Sequence, residues 1–341
     1  MEIIKLDNIC DVKTGNKNKE NNDENGLFPF YTRSQIILKS NNYTIDEEAI
    51  IIPGEGSFIP MWNMGKAAIH QRTYIIKSSN LNKLLNKYLY YWWFKNYKIL
   101  KQSAVGSTVK SLRKFHFLKP QINLPNLKYQ QDIISIIEPF ENLELLYQEK
   151  KNNLVNLLTS LYKHNSSSKK IKLLSFSKIM NSKWKNQKYY VETKNINDNY
   201  EINGSLKKIN IDTKPSRANL SVEKNSIIFS KLKGSIKLFP IFDEKYSKFV
   251  YSTGFFNIFS LLSNSYLFGF LNSDEFLEQK NANSTGTLMQ GLNKKSLDNI
   301  YLYQPNKIYK LDIILILISK INILIKLIND IINNLINLFI L

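Results

Sequence analysis

Gly106-Ser107-Thr108-Val109-Lys110-Ser111-Leu112 and Gly286-Thr287-Leu288-Met289-Gln290-Gly291-Leu292 stand 180 residues apart and share their order of small, polar and apolar positions. The correspondence continues without a gap. Lys114 matches Lys294, Pro125-Asn126 matches Pro305-Asn306, Tyr129 matches Tyr309, and Asp132-Ile133-Ile134 matches Asp312-Ile313-Ile314. Upstream the order persists while the spacing drifts: Tyr88-Leu89-Tyr90 with Tyr266-Leu267-Phe268, Ala49-Ile50-Ile51 with Ser226-Ile227-Ile228, and Ile4-Lys5-Leu6 with Ile171-Lys172-Leu173. Loops that differ in length between two copies produce such drift. A tandem duplication follows, and it sets the plan of the whole chain.

Each half divides in two. The first part is mixed. Short β-rich runs at Ala49 to Ile52, Thr73 to Ile76, Ser226 to Phe229 and Phe255 to Phe259 alternate with Gly, Asn and Ser loops. One helix per half is expected, near 81–100 and 264–279. The second part is a long helical stretch at 128–163 and again at 308–341. In the later one Ile314, Leu317, Ile321, Leu324, Ile328, Ile331, Leu335 and Leu338 alternate spacings of three and four, a sustained heptad seam. The earlier one has Ile133, Ile136, Phe140, Leu143, Tyr147, Lys150, Leu154, Leu157 and Leu161 on the same rule, one residue out of phase with the other. Pro139 is expected to break or kink this helix, because it lacks the N–H of the helical ladder. Asp312, Lys320, Lys326 and Asp330 interrupt the tail, so no uncharged run reaches the ~18–20 residues of a membrane span. Few cations on its polar face argue against a surface-lying membrane helix. Pairing of the two helices is the expectation. From Phe140 to His164 such a rod spans roughly 37 Å at ~1.5 Å per residue, close to one turn of B-DNA.

The 341 residues suggest about two domains at roughly 150 each. Lys and Arg number 47 against 28 Asp and Glu, a formal charge of +19, with 43% hydrophobic and 12% aromatic residues. That composition builds cores and is not that of a disordered chain. A single cysteine, Cys10, excludes an intramolecular disulfide framework and a cysteine zinc cluster. Cys10 itself reads as a small core residue. His70, His116 and His164 are too far apart for a paired-histidine metal helix. The opening MEIIKLDNICDVK carries acids and no long apolar core, so no signal peptide is expected and the cytoplasm is the expected compartment. Two readings of the charge stay open. Arg occurs only at 33, 72, 113 and 217 while Lys, Asn and Ile abound, a pattern that codon bias can produce; the alternative is a polyanionic partner.

Catalytic signatures are missing across several classes. Gly65-Lys66 lacks the upstream glycine of a phosphate-binding loop, and Gly54-Glu55-Gly56 is a bare G-x-G that reads as a turn after a strand. There is no G-x-S-x-G elbow and no Asn-Pro-Pro-Tyr or Asp-Pro-Pro-Tyr run of an amino-methyltransferase.

Two mixed domains, each followed by a long helix and each with a Gly-Ser/Thr element before that helix, resemble the specificity (S) subunit of type I restriction-modification systems. The carrying residues are Ala104 to Leu112, Ile122-Asn123-Leu124-Pro125 and Gln130-Gln131-Asp132-Ile133, then Ser284 to Met289 and Pro305 in the second half. The second half departs from the pattern, with Lys310-Leu311 where the first has Gln130-Gln131. The resemblance implies an α+β chain with two similar mixed α/β target-recognition domains separated by two long antiparallel coiled-coil-like helices. The domains would be 1–127 and 166–307, and the conserved helical regions 128–165 and 308–341. It further implies a non-catalytic chain, double-stranded DNA as ligand, and modification (methyltransferase) subunits docked on the helices. S-adenosylmethionine would be held by those partners, and a translocating restriction subunit would be a further partner. The expected subunit-interface residues are the seam members Ile133, Ile136, Phe140, Leu143, Leu154, Leu157 and Leu161 with Ile314, Leu317, Ile321, Leu324, Ile328, Ile331, Leu335 and Leu338.

For DNA, lysines neutralise phosphates and fix register while polar loop residues read base edges. The first-domain candidates are Lys13, Lys17, Tyr31, Arg33, Gln35, His70, Gln71 and Arg72, with Ser107, Thr108 and Lys110 in the glycine turn. Arg33 and Arg72 suit guanine, and Gln35 or Gln71 suit adenine. The second-domain candidates are Lys214, Ser216, Arg217, Lys231, Lys233, Ser252, Thr253 and Thr287. Two other readings stand beside this one. A coiled-coil scaffold or adaptor would carry its charge as compositional drift, and an RNA-binding module would use the many aromatic residues for stacking.

Overall fold

The computed structural model describes residues 2–23, 25–287 and 290–341. The chain forms two compact units, Met1–Leu143 with Ile328–Leu341, and Glu144–Leu327. The first holds β1 (Glu2–Lys5), β2 (Cys10–Thr14), β3 (Phe28–Tyr31), β4 (Leu38–Ser40), β5 (Ile45–Asp46), β6 (Ala49–Pro53), β7 (Met61–Asn63), β8 (Lys66–Ile69), β9 (Thr73–Ser78), α1 (Asn86–Ser103), α2 (Lys114–Leu118) and β10 (Gln121–Leu124), then the start of α3 (Leu127–Asn165). The second holds the rest of α3, β11 (Ser166–Lys172), α4 (Leu173–Phe176), β12 (Ser177–Ile179), β13 (Tyr189–Val191), β14 (Lys207–Lys208), β15 (Ala218–Ser221), β16 (Ser226–Ser230), β17 (Phe239–Ile241), α5 (Glu244–Ser247), β18 (Val250–Ser252), β19 (Phe255–Ser260), α6 (Asn264–Leu271), α7 (Asp274–Ala282) and β20 (Tyr301–Pro305), then the start of α8 (Asp312–Phe339).

The duplication is carried by the topology. The first unit has sheets ordered β2-β9-β6-β7 and β4-β3-β8-β5; the second has β12-β19-β16-β17 and β14-β13-β18-β15, the same order element for element. Each unit also has a two-stranded ribbon joining its first and last strands, β1 with β10 and β11 with β20. The two lobes follow one plan, as the repeat requires.

The central strands show why these residues fold this way. All five residues of β6 and of β16 are buried, so both strands are covered on both faces and carry no exposed alternate positions. Alternate side chains serve two cores. Ile228 packs with Val191, Ile241 and Tyr251 between the two sheets, while Ile227 and Phe229 pack with Phe268, Phe270 and Phe276 of the helices. The first unit repeats the sheet-to-sheet core with Tyr31, Ala49, Ile51, Ala67, Ile69 and Ile75. Cys10 is buried on β2, and burial pushes its thiol up to about 12, which keeps it an inert apolar filler.

The helices are held by their polar ends. Fully buried Gln130 accepts from Leu85 N (2.9 Å) and donates to the carbonyls of Lys83 (2.8 Å) and Pro125 (2.9 Å), which ties the start of α3 to the entrance of α1. In the second unit, where Lys310-Leu311 replaces the glutamine pair, Asp312 takes that role: it accepts from Ser265 N (3.0 Å) and Asn264 Nδ2 (3.2 Å) at the start of α6. Within this unit α3 and α8 run antiparallel. Leu161 and Leu311 line one small cavity, while Lys151 and Asn322 both reach the Tyr200-Glu201 loop. Gly269 lets α6 lie directly on α3, since a Cβ there would sit 2.3 Å from the Leu158 carbonyl oxygen. In the first unit the Tyr129 hydroxyl donates to Phe339 O (3.2 Å), which places the end of α8 beside the start of α3.

Two helical expectations are corrected. The buried positions of α3 are Gln130, Ile133, Ile137, Lys151, Val155, Leu158 and Tyr162, whereas Ile136, Leu143 and Leu157 are exposed and Phe140, Leu154 and Leu161 only half-buried. In α8 they are Ile314, Leu315, Ile318, Ser319, Ile321, Asn322, Ile325, Ile328, Ile332 and Ile336, with Leu317, Leu324 and Leu338 exposed and Ile331 and Leu335 half-buried. The face turned inward therefore overlaps the heptad stripe only in part, at Ile133, Ile314, Ile321 and Ile328, because the helices also pack on the mixed α/β parts of the units. The one-residue phase difference persists in this burial, where Ile133 corresponds to Ile314, Ile137 to Ile318 and Val155 to Ile336. Pro139 does not break α3, which continues through it. The proline is exposed, so the ladder carbonyl it leaves unpaired faces solvent. No helix among the described residues is long and apolar enough to cross a membrane.

Candidate nucleic-acid interface

Strand direction gathers the candidate loops of the first lobe. β3 and β8 are parallel neighbours, Tyr31 beside Ile69, so Thr32 to Gln35 and His70 to Arg72 leave the sheet at the same end. β6 ends beside the start of β9, Pro53 opposite Thr73, which brings in the turn Gly54-Glu55-Gly56. Gly54 N donates to Arg72 O (2.9 Å), and Gln71 N donates to Lys17 O (2.9 Å). The glycine turn joins through Ser111, whose backbone bridges both Val105 and Glu55, while Leu112 N donates to Gly54 O (2.8 Å). Gly106 has φ +134°, and a Cβ there would meet Val109 O at 2.2 Å, so this turn requires glycine. Lys17, Arg33, Gln35, Gln71 and Arg72 thus share one edge with Ser107, Thr108 and Lys110. Lys13 is exposed on β2 opposite Ile75, set back from that edge.

Glu55, not among the expected contacts, organises this edge. Arg33 Nη1 donates to Glu55 Oε2 and Arg72 Nη1 to Oε1, both at 2.8 Å. The Glu55 side chain is 14% exposed, those of Arg33 and Arg72 48% and 60%. The Arg33 bond leads in holding the Glu55 carboxyl below its ordinary range, with Arg72 adding to it against the effect of burial. His70 lies beneath, its Nδ1 accepting from Arg72 N (3.0 Å). Gln35 Nε2 donates to Ser57 Oγ (2.9 Å) and Ile59 O (3.2 Å). Tyr31 is a correction. It is 5% exposed and its hydroxyl donates to Trp62 O (3.2 Å), so it belongs to the core between the sheets. His70, also buried, is a support for the arginine loop and does not sit at its surface.

The second lobe rebuilds the same edge with other side chains. Lys231 N donates to Gly254 O (2.9 Å) and Leu292 N to Lys231 O (2.8 Å), the counterparts of the Gly54 bonds. Gly291 bridges Thr285 and Leu232 as Ser111 bridges Val105 and Glu55. Gly286 has φ +118°, matching Gly106. Leu232 therefore stands where the first lobe has Glu55. Lys231 Nζ donates to Thr253 O (2.7 Å) over the Phe256 ring, and burial lowers its basicity. Lys233 Nζ donates to Gln290 Oε1 (2.7 Å). Thr253 N donates to Arg217 O (2.9 Å), which brings the exposed Ser216-Arg217 turn to this edge. Lys214 lies over the Trp184 ring at 5.5 Å. Ser252 is a second correction: it is buried, with its Oγ accepting from Gly254 N (3.2 Å). Thr287 is exposed; its neighbours Leu288 and Met289, part of the expected motif, lie outside the described residues. Glu55, Ser57 and Gln290 were missed by sequence reasoning. The one available signal was an acid between two glycines after a buried strand.

The two buried histidines set an acid limit. Burial first, then Arg33 and Arg72, lowers the His70 pKa from 6.5; burial first, with Arg113 and Lys119 adding charge repulsion, lowers that of His116. The unfolded chain then takes up protons first, so stability is expected to fall as pH drops below about 6.5. Urea midpoints at pH 7.5 and 5.5 check this, and His70→Gln with His116→Gln should flatten the difference. A midpoint that rises on acidification contradicts it.

These features define a class: a duplicated α/β protein whose strand-end loops form one polar, cation-bearing edge on each of two equivalent lobes. The family described as type I restriction modification DNA specificity domain matches residues 1–157, a little under half of the chain. The resemblance read from the duplicated motif holds. Among curated relatives, the EcoDI specificity subunit of a type I restriction enzyme from Escherichia coli is 27% identical over 126 residues. That stretch is 37% of this chain and 28% of the relative, so the match spans little more than a quarter of the relative's length. A crystal structure of the type I restriction-modification system S subunit from M. genitalium aligns over 99% of this chain and 91% of its own, at 12% identity and a TM-score of 0.50, a likeness of fold. Among the described residues no cluster of His, Cys, Asp and Glu could hold a metal ion.

Proposed function

We propose that this chain is the DNA sequence-recognition subunit of a type I restriction-modification complex. Each lobe reads one part of a bipartite target, and the helices dock the modification subunits. The observation that carries this is the equivalence of the two loop edges, built from the same backbone bonds on a domain of the DNA specificity family but furnished with different side chains. One scaffold with two sets of surface groups suits two different half-sites. The chain works without catalysing; the partner modification subunits, in the cytoplasm, bind S-adenosylmethionine and transfer the methyl group, and a restriction subunit joins the same assembly.

The test is co-expression with a type I modification subunit from the same genome, followed by genome-wide mapping of methylated bases. A split motif with a fixed gap is expected. Methylation of a continuous motif, or none that depends on this chain, overturns the proposal.

Arg217 gives a sharper outcome. Arg217→Ala should relax discrimination in one half-site only, by ~1–3 kcal/mol. Competition binding with single-base variants of each half-site measures it. An equal loss at both half-sites contradicts the two-reader arrangement.

A further inference from the structure

We propose that Glu55 is the positioning residue of the first reader, holding Arg33 and Arg72 as a pre-ordered pair of guanidinium forks for two guanines close together in the first half-site. This rests on the DNA-recognition reading above.

The geometry favours it over a chance surface ion pair. One carboxylate oxygen takes Arg33 and the other takes Arg72, each through a single Nη1. A guanidinium bound through one amino group keeps its Nε and Nη2 donors in the same plane, and two such donors suffice for the O6 and N7 acceptors of guanine. The two forks are separated by two hydrogen bonds and the width of a carboxylate. That distance fits guanines one or two base steps apart, at ~3.4 Å per step along a strand.

Electrostatics points the same way. A carboxylate on a face that meets phosphates repels the ligand, so Glu55 weakens non-specific attraction. Its effect on specific binding is opposite, because long arginine side chains ordered before binding lose less freedom on contact. The Glu55 turn is itself fixed, through the backbone bridge to Ser111 and the Gly54 bonds to Arg72 and Leu112. The second lobe keeps that backbone but places Leu232 at the Glu55 position and Lys231 at the Gly54 position, so it lacks the clamp. The inference is therefore specific to one half-site, and the other serves as an internal control.

The test uses the assembled complex with its modification subunits. Glu55→Gln preserves size but leaves one acceptor oxygen for two arginines. Binding to duplexes carrying each base substitution in the two half-sites, and to unrelated duplex, is compared with the parent. The expected result has three parts: discrimination for guanine at two nearby positions of the first half-site falls about tenfold or more, affinity for unrelated duplex holds or rises, and the second half-site is read as before. Arg33→Lys and Arg72→Lys should each lose one of those two guanines. Unchanged guanine discrimination overturns the inference. So does loss of a cytosine alone, which would make Glu55 itself the reader, and so does equal weakening of both half-sites and of unrelated duplex, which would make its role structural. If the parent complex reads no split sequence at all, it is the DNA-recognition reading that fails.

Discussion

Duplex affinity is expected to fall by ~10³–10⁵ between 50 and 200 mM salt, the loss that follows when about 6–10 phosphate contacts release their counterions. The basis lies in the two loop edges. Lys13, Lys17 and Lys110 are exposed or half-exposed in the first lobe, as are Lys214 and Lys233 in the second. Lys231 contributes less, since its ammonium is partly buried and already donates to Thr253 O. Affinity measured by anisotropy over a salt series should plot as a straight line of log K against log salt. Each exposed lysine replaced by alanine should reduce the slope by about one without changing base preference. This result separates the two readings of the +19 charge. Compositional drift spreads lysines over the whole surface, and a scaffold of that kind shows no steep, lysine-by-lysine salt slope. A flat salt response removes the basis for phosphate contact altogether.

The second large effect concerns stability. Lys151 of α3 is fully buried and pairs with Glu201, whose carboxylate also accepts from Gln148 Nε2 (2.7 Å) and Asn197 Nδ2 (3.1 Å). Beside it Asn322 Nδ2 of α8 donates to Tyr200 O (2.6 Å), so one short loop receives both helices of this unit. Burial is the leading influence on Lys151 and lowers its pKa, with Glu201 acting against it. Glu201→Ala leaves the ammonium without its partner in a dry site and is expected to cost ~3–5 kcal/mol. Lys151→Met combined with Glu201→Gln should recover most of that loss, because an apolar side chain of similar length fills the site without a charge. Urea unfolding of the three variants measures both effects. A loss below ~1 kcal/mol for Glu201→Ala would mean that water reaches the pair.

Much of the architecture was legible in the residues. The repeated Gly106 and Gly286 elements announced the two lobes, and both glycines adopt backbone angles that favour glycine. The runs Ala49 to Ile52 and Ser226 to Phe229 are the central strands, where short runs rich in β-branched and aromatic residues between turn signals suit a strand covered on both faces. The helical stretches were equally clear from period alone. Their inward face was not. In α8 the residues Ile313 to Ile318 are all apolar, so two adjacent stripes satisfy a heptad equally well, and packing against the lobe selected Ile314, Leu315 and Ile318. The site was half legible for a similar reason. Arg33, Arg72, Lys233 and Arg217 were recognisable as residue types that meet nucleic acid. Tyr31 and Ser252 were not recognisable as inward, since each ends a strand whose neighbours cover it. Glu55 stayed hidden because its meaning lies in two arginines 22 and 17 positions away.

Order along the chain thus settled what is local: which segments are strands, which are helices, that the plan occurs twice, and where glycine alone can turn. Proximity settled the rest. The parallel pairing of β3 with β8 and the placement of β6 beside β9 put Arg33, Glu55 and Arg72 in contact, and the packing of each helix on its own lobe chose the buried face. Such choices depend on the directions of strands distant in sequence, and residue spacing along one segment carries no information about those directions.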